Sequence, residues 1–166
     1  MAFNDKVDQM FLQQLRVVRR AGIAATDLPG GAAFNIFNIA GGLASCILVR
    51  QIWGVVTTVI GAGAAVPRIQ FTPTGLAQVP LCAAAASIAT DAVGTVYTYP
   101  LGTIAAVLAP SPAIGMADTA ATGWTGDYTV LTGGIIAITN AVASTGVIDW
   151  YIAYIPCTQA AVVTPL

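Results

Sequence analysis

Residues 147–155 read VIDWYIAYI, and Pro156 follows them. The stretch is rich in β-branched and aromatic residues, so it predicts a β-strand that ends at the proline. Alternation along a strand places Ile148, Trp150, Ile152 and Tyr154 on one face, and Val147, Asp149, Tyr151, Ala153 and Ile155 on the other. Because both faces are largely apolar, we expect both to be covered, by a second sheet within and by another subunit or the amino-terminal segment outside.

Short runs of Val, Ile, Thr and aromatic residues recur from Ala32 onward, separated by Gly, Pro, Asn or Asp. The predicted strands are Phe34–Ile39, Cys46–Ile60, Arg68–Thr72, Ala77–Ala83, Gly94–Tyr99, Thr103–Leu108, Tyr128–Thr132, Ile135–Asn140 and Val147–Ile155. The pair Gly133-Gly134 predicts a tight hairpin turn, and the alanine-rich segment Leu81–Ala89 is open to helix or strand. The pattern predicts an all-β chain, a β-sandwich of jelly-roll-like connectivity over residues 28–166.

Residues 1–27 have a different composition, because seven of the 13 charged residues of the chain lie there. Apolar residues recur at helical spacing from Asn4 to Gly22, and acidic residues precede basic ones, as the helix dipole favours. This predicts an amino-terminal amphipathic helix or arm. Its candidate interface residues are Val7, Met10, Phe11, Leu15 and Val18. The helix could pack on its own domain or lie on a partner.

Charge is scarce in the rest of the chain. An ordinary soluble domain has about 25% charged residues. Residues 28–166 contain only Arg50, Arg68, Asp91, Asp118, Asp127 and Asp149, and the chain has no His and no Glu. A surface made of Ala, Gly, Thr, Val, Ser and Gln is tolerated mainly where neighbouring molecules cover it. The composition therefore predicts a chain that works in an assembly.

A membrane protein is the first rival class, because the mean hydropathy is +0.80. Long charge-free stretches are present, but Gly, Pro and Asn interrupt them, as in Leu28–Val49 and Ala92–Ala117. A spanning helix needs about 20 predominantly apolar residues with a satisfied backbone. The amino terminus also carries Asp5, Lys6 and Asp8 where a signal peptide would have a basic and then an apolar segment. We expect neither a membrane span nor a signal peptide.

Enzymatic activity is not expected either. Without His, a Ser or Cys nucleophile lacks its usual base, and the aspartates are scattered singly. Cys46, Cys82 and Cys157 form no CxxC motif, which predicts three reduced thiols in apolar surroundings and neither metal nor cofactor.

The spacing of residues also argues against a phosphate-binding loop and a calcium site. The stretch Gly61–Val66 resembles a phosphate-binding loop, but Pro67 follows where a helix would have to begin, so it predicts a loop between strands. Asp118 and Asp127 match no calcium-loop spacing. Nucleic-acid binding has only the cluster Arg16, Arg19 and Arg20 to support it, in a chain of net charge −1, and the solvated end of a helix explains that cluster.

Three segments carry a resemblance to a known group of proteins. They are Gly146–Pro156 with Ala160–Val163 after it, Gly54–Ile60 and Asp91–Tyr97, together 29 of the 166 residues. These segments resemble small structural proteins encoded among the head genes of tailed bacteriophages. That group tends to have Leu-Asp after the proline, whereas this chain has Cys157-Thr158. The resemblance implies a capsid decoration, cement or head-fibre protein, typically a β-sandwich that trimerises on the shell.

Composition and resemblance together predict a virion structural protein. We expect a decoration or cement protein that is assembled in the host cytoplasm and binds the major capsid protein of the same particle as a homo-oligomer, most simply a trimer. Two alternatives stay open: a coat protein that forms the shell itself, and a host-binding fibre domain. For the fibre domain the candidate contacts are Trp124 and Tyr128.

Overall fold

A computed structural model describes residues 15–23, 28–42, 44–63, 65–82, 84–98, 109–111, 129–158 and 160–166. These residues contain β-strands and no helix. The strands are β1 (Arg16–Arg20), β2 (Ala33–Ile39), β3 (Cys46–Thr58), β4 (Arg68–Pro73), β5 (Val79–Pro80), β6 (Val96–Thr98), β7 (Ala109–Ser111), β8 (Thr129–Thr132), β9 (Gly134–Thr139), β10 (Val147–Pro156) and β11 (Val163–Pro165).

The strands form two antiparallel sheets. The front sheet has the order β1-β10-β3-β6-β7, and β8 pairs with the amino-terminal end of β3 beside β6. The back sheet has the order β11-β2-β9-β4-β5. The chain changes sheet between most successive strands, so residues far apart in sequence face each other across the interior. The predicted all-β, sandwich-like class is confirmed at this level.

The inward faces of both sheets meet in one apolar core. The front sheet contributes Ile47, Val49, Ile52, Val56, Tyr97, Leu131, Ile148, Trp150, Ile152 and Tyr154, and the back sheet contributes Ile36, Phe37, Ile39, Ile69, Phe71, Ile136, Ile138 and Val163. Each of these side chains is buried. β-Branched and aromatic residues dominate this set because they pack well on a pleated surface. Burial of this apolar area is the main force that holds the sheets together.

The longest ladder of the fold joins β3 to β10, from the pair Val147 and Thr58 to the pair Pro156 and Ile47. Gly54 lies opposite Trp150 in this ladder. A Cβ atom at Gly54 would lie 2.9 Å from the Trp150 ring, so the glycine leaves the space that the indole fills. Trp150, the largest side chain of the core, therefore fits because its neighbour on β3, Gly54, has no side chain.

Arg20 closes one side of the sandwich. It is the inward-facing last residue of edge strand β1 and is only 2% exposed. Its guanidinium carbon lies 4.4 Å from the ring centre of Phe34 in β2, and its Nε donates to the main-chain oxygen of Leu166 at 3.1 Å. A cation over an aromatic face and a hydrogen bond to the carbonyl compensate part of the cost of removing the charge from water.

The predicted helix is wrong over its carboxyl-terminal part, because Arg16–Arg20 is a strand paired with Trp150–Tyr154 of β10. Pairing at the edge of the sheet with the long apolar strand β10 stabilises this segment more than its helical periodicity does. A helix of only five residues is not stable by itself, because helix formation needs several successive turns. Arg20 is correspondingly buried and not at a solvated helix end. Residues 1–14 lie outside the described residues. The division of the chain into two parts at residue 27 stays a prediction. β1 precedes this boundary but pairs with β10 of the front sheet.

Most predicted strands are confirmed, namely those that correspond to β2, β3, β4, β6, β8, β9 and β10. Of Ala77–Ala83 only Val79–Pro80 is a strand, and the described part of Leu81–Ala89 is neither helix nor strand. Thr103–Leu108 lies outside the described residues. The predictions missed β1, β7 and β11, which are short strands at sheet edges.

The predicted hairpin at Gly133-Gly134 is also wrong. β8 pairs with β3 in the front sheet, whereas β9 pairs with β2 and β4 in the back sheet. Gly133 therefore carries the chain from one sheet to the other. Its N–H lies 3.1 Å from the carbonyl oxygen of Gly42 and 3.0 Å from that of Ser45, and a Cβ atom here would overlap the main chain of Gly42.

This crossover gives a stability prediction. Gly133→Ala should lower the free energy of unfolding by about 3 kcal/mol, because the clash is with main chain and cannot be relieved by a side-chain rotation. Gly75→Ala is the control: Gly75 has a φ of +74° but open space around its Cα, so only the backbone strain of about 1 kcal/mol should appear. Urea unfolding measures both. Equal losses in the two variants would contradict the close approach of Gly133 to Gly42.

Candidate interaction surface

The outward-facing residues of the front sheet form a second, largely apolar face, here named the outer front face. They are Val17 and Arg19 on β1; Asp149, Tyr151, Ala153 and Ile155 on β10; Leu48, Arg50, Gln51, Trp53 and Val55 on β3; Val96 and Thr98 on β6; and Val130 and Thr132 on β8. The face arises because β3 and β10 carry apolar residues at both odd and even positions, so one set is left outside when the other enters the core.

An aromatic stack lies at the centre of the outer front face. Trp53 and Tyr151 are directly opposite each other on β3 and β10. Their ring centres are 5.1 Å apart and their planes are inclined by 5°. Such a pair contributes about 0.5–1.5 kcal/mol beyond the area that it buries. Both side chains are half-buried, so the stack gives the face a stiff, flat centre that still reaches the surface.

The rim of the outer front face has one ion pair. Arg19 donates to Asp149 Oδ2 from Nη2 at 2.6 Å and from Nε at 3.1 Å, and the Gly22 N–H donates to Oδ1 at 2.7 Å. Asp149 is only 7% exposed, whereas Arg19 is exposed. The carboxylate therefore has partners for both oxygens within its own chain. These two formal charges cancel, and Arg50 of β3 adds one positive charge to the face.

Burial of Asp149 acts to raise the pKa of its carboxyl group. The hydrogen bonds from Gly22 and Arg19, and the positive charges of Arg19 and Arg20, act in the opposite direction and prevail, so the pKa lies below its ordinary value. A carboxyl group whose pKa is lower in the folded state stabilises the fold at pH values above its unfolded pKa. That contribution disappears as the pH falls through the folded pKa.

The remainder of the outer front face mixes apolar and polar side chains and has exposed valines toward its margins. Val130 is 61% exposed and Val17 is 57% exposed. They lie opposite Leu48 and Ala153, whereas the direct neighbours of the stack are Arg19, opposite Tyr151, and Thr98, opposite Trp53. Exposed aliphatic and aromatic side chains on one sheet face are typical of a surface that another molecule covers.

The outer face of the back sheet is different in kind. Its outward residues are mostly uncharged and polar: Asn35 and Asn38 on β2, Arg68, Gln70 and Thr72 on β4, Thr139 on β9 and Thr164 on β11. Arg68 Nε donates to Thr139 Oγ1 at 3.2 Å. The buried amide of Gln70 fits between Arg68, Thr139 and Gln78 when its oxygen faces Arg68. Arg68, Gln70 and Thr139 already have partners on this face, so the back sheet is the better candidate for the solvent-facing side.

Two buried polar groups elsewhere hold loops in place. The Tyr97 hydroxyl donates to Asp91 Oδ2 at 2.7 Å, and burial with this hydrogen bond raises the pKa of Tyr97 far above its ordinary value. The Asn140 side chain accepts the Val66 N–H at 2.7 Å and donates to the carbonyl oxygen of Val142. Each pair joins a loop to a strand or to another loop, and neither lies beside a nucleophile. We assign both to structure.

The structure separates the predicted arm residues. Val18 is part-buried on the inward face of β1 and packs against the core of its own chain, so it is not available to a partner. Leu15 is exposed just before β1. Val7, Met10 and Phe11 lie outside the described residues, as do Asp118, Trp124, Asp127 and Tyr128.

The sequence predicted only part of the outer front face. The apolar outward positions of β10 were evident from alternation, but the Trp53–Tyr151 stack and the Arg19–Asp149 ion pair were missed. The predicted loop at Gly61–Val66 is confirmed: it leads from β3 into β4, and no helix begins there. Among the described residues no group of three His, Cys, Asp or Glu side chains could hold a metal ion.

The chain was compared with family models, with curated proteins and with solved structures, and no match was found in any of the three. No helix long and apolar enough to cross a membrane occurs in the part of the chain that the structure describes.

The ion pair gives a pH-dependent prediction. Asp149→Asn should lower the free energy of unfolding at pH 7 by about 1–2 kcal/mol, because the three hydrogen bonds that the ionised, buried carboxylate accepts from Arg19 and Gly22 are weakened or lost. The difference from the unsubstituted protein should shrink below about pH 4, where the unfolded carboxyl group becomes protonated. Urea unfolding at pH 7, 5 and 3 measures it.

Arg19→Gln is the matched control, because it removes the exposed partner but leaves Asp149 bonded to Gly22. We expect a smaller loss of stability than in Asp149→Asn, since exposed ion pairs contribute little. A deficit in Asp149→Asn that stays constant from pH 7 to pH 3 would show that the ionised carboxylate is not the stabilising form.

Proposed function

We propose that this protein is a virion structural protein, a capsid decoration or cement protein that binds and stabilises the shell as a homo-oligomer. The observation that carries the proposal is the outer front face, which has an aromatic centre, exposed valines and only three charged side chains, Arg19, Arg50 and Asp149, on a chain with very little charge. No catalytic constellation is part of the proposal. The partners are sister copies of the chain, most simply in a trimer, and the major capsid protein, with neither nucleic acid nor membrane nor cofactor.

The energetics of such a surface favour permanent burial. Each Å² of apolar area removed from water contributes about 25 cal/mol before the costs of association. Asp149 is already desolvated and paired with Arg19, so an interface over this face would newly desolvate the exposed cations Arg19 and Arg50 but not the carboxylate. Obligate interfaces are more apolar than transient ones for this reason. The mechanism of the protein is thus mechanical: it adds contact area between neighbours on the particle.

The polar outer face of the back sheet supports an orientation. Amide and hydroxyl groups that are hydrogen-bonded among themselves interact well with water without carrying charge. We therefore place the front sheet toward neighbouring subunits and the back sheet toward solvent, with the protein located on the capsid after assembly in the host cytoplasm. The stripe of Val7, Met10 and Phe11 is proposed as the arm that reaches the shell.

A jelly-roll-like connectivity is the finer proposal for the fold. It is supported by the repeated passage of the chain between the two sheets, from β2 to β3 to β4 and again from β8 to β9 to β10. Jelly rolls are built from two such packed sheets and are frequent in capsid proteins.

The first prediction of the proposal concerns the outer front face. Purified full-length protein should be a stable oligomer by light scattering, and Val130→Asp should convert it to smaller species, because a buried unpaired carboxylate costs several kcal/mol at an interface. Leu76→Asp is the matched control. Leu76 is 60% exposed, against 61% for Val130, and lies in the turn before β5 on the back sheet. Its substitution should leave the oligomer unchanged.

Negative-stain images and co-sedimentation with shells of the major capsid protein distinguish the roles. Discrete small oligomers that bind shells support decoration, and closed shells formed by the chain alone support the coat-protein alternative. A monodisperse monomer that does not bind shells would overturn the proposal.

The second prediction concerns the arm. Deletion of residues 1–14 should leave thermal unfolding nearly unchanged but abolish incorporation into particles. Deletion of residues 1–22 should also remove β1, with Arg20 and the partners of Asp149, and should lower Tm by on the order of 10 °C. Differential scanning calorimetry and particle binding test both variants. If the shorter deletion binds particles at full occupancy, the attachment surface lies on the sandwich and not on the arm.

A further inference from the structure

Two of the three cysteines lie side by side at matching ends of the two longest strands. Pro156 at the end of β10 pairs with Ile47 in β3, and the next opposed residues along the ladder are Cys157 and Cys46. The Cys157 N–H donates to the carbonyl oxygen of Cys46 at 2.9 Å. The two residues are 111 positions apart in sequence, so only the pairing of β3 with β10 brings them together.

Their backbone placement suits a disulfide bond. Opposed residues that share a main-chain hydrogen bond in an antiparallel ladder have Cα atoms about 5.5 Å apart. Disulfides usually join Cα atoms about 4.4–6.8 Å apart. The two thiol groups also interact: burial, and a hydrogen bond with Cys46, raise the pKa of Cys157 to about 11. The 2.9 Å hydrogen bond between the two main chains places these side chains on neighbouring strands within reach of each other.

The pair is accessible, and the third cysteine is not. Cys157 is exposed and Cys46 is half-buried, whereas Cys82 is fully buried. Cys82 Sγ accepts the Ile69 N–H at 3.3 Å in the interior beside the back sheet. The expectation of three thiols in apolar surroundings therefore holds for Cys82 but not for Cys157. A small oxidant in solvent can reach one pair and cannot reach the remaining thiol.

We propose that Cys46 and Cys157 are a redox-sensitive pair that forms a reversible intramolecular disulfide, with low-molecular-weight disulfides such as oxidised glutathione as the oxidant. One cysteine thiolate attacks a sulfur of the oxidant, forms a mixed disulfide and releases one glutathione thiolate. The other cysteine thiolate then attacks the protein sulfur of the mixed disulfide and releases the second glutathione. Two protein thiols are oxidised, one glutathione disulfide is reduced to two thiols, and the two protons go to the released thiolates or to solvent.

The bond would fix the carboxyl-terminal end of β10 to the start of β3. It would close a loop of more than 100 residues that contains β3 through β10, and long loops gain the most from a covalent link. A reduced cytoplasm keeps the pair as thiols, and an oxidising medium makes the link. The inference does not depend on the proposed function, because it rests on the β3–β10 register alone.

The test uses the full-length native protein incubated with oxidised glutathione at pH 8. We expect intact mass to fall by about 2 Da through the loss of two hydrogen atoms. The thiol count after denaturation should fall from three to one, and peptide mapping without reductant should recover Cys46 joined to Cys157. Tm should rise by on the order of 10 °C and return to its first value after reduction with dithiothreitol. The reaction should be slower at pH 7 than at pH 9, because thiolate is the attacking form.

Variants separate the pair from other thiol chemistry. Cys82→Ser should still lose about 2 Da, whereas Cys157→Ser and Cys46→Ser should not. A stable glutathione adduct on Cys157, or a disulfide-linked dimer on a non-reducing gel in place of the internal bond, would overturn the proposal. The mass measurement on the unsubstituted protein decides the matter even if a serine variant fails to fold.

Discussion

The antiparallel ladder between β3 and β10 is the feature on which the rest of the structure depends. Its inward side chains, with Trp150 set against Gly54, form the centre of the core. Its outward side chains, with Trp53 stacked on Tyr151, form the centre of the outer front face. Its end brings Cys46 to Cys157. Because side chains alternate along a strand, a ladder that is mostly apolar at both odd and even positions must create a core and an outer apolar face together.

The scarce charges are used within the chain. Asp149 is held by Arg19 and Gly22, Asp91 accepts the Tyr97 hydroxyl, and Arg20 lies buried over Phe34. The Arg19–Asp149 pair and the Arg20–Phe34 contact join strands that are distant in sequence or lie in different sheets, whereas the Tyr97–Asp91 hydrogen bond joins β6 to the loop six residues before it. A charge that is paired inside a subunit contributes little repulsion or desolvation cost at an interface. The composition and the proposed role in an assembly are thus connected through the same few side chains.

The outer faces of the two sheets differ in chemical character. The front sheet presents aromatic and aliphatic side chains together with Arg19 and Arg50, and the back sheet presents mainly amides and hydroxyls, with Arg68, Gln70 and Thr139 hydrogen-bonded to one another. In an isolated monomer the more apolar front face would be exposed to water and would promote non-specific association. In a particle the difference is useful, since one face must be buried and the other hydrated.

The sequence alone determined the fold class and the apolar character of β10, because both depend on local alternation and on the spacing of Gly and Pro. It did not determine the partners of each strand. Arg16–Arg20 has helical periodicity but becomes the edge strand beside β10, and Gly133 has hairpin chemistry but links two sheets. The Arg19–Asp149 ion pair, the Trp53–Tyr151 stack and the Cys46–Cys157 pair join residues separated by 98 or more positions. Only the tertiary structure could decide these contacts, because strand pairing is set by which apolar faces can be buried together over the whole chain, and local sequence does not encode that choice.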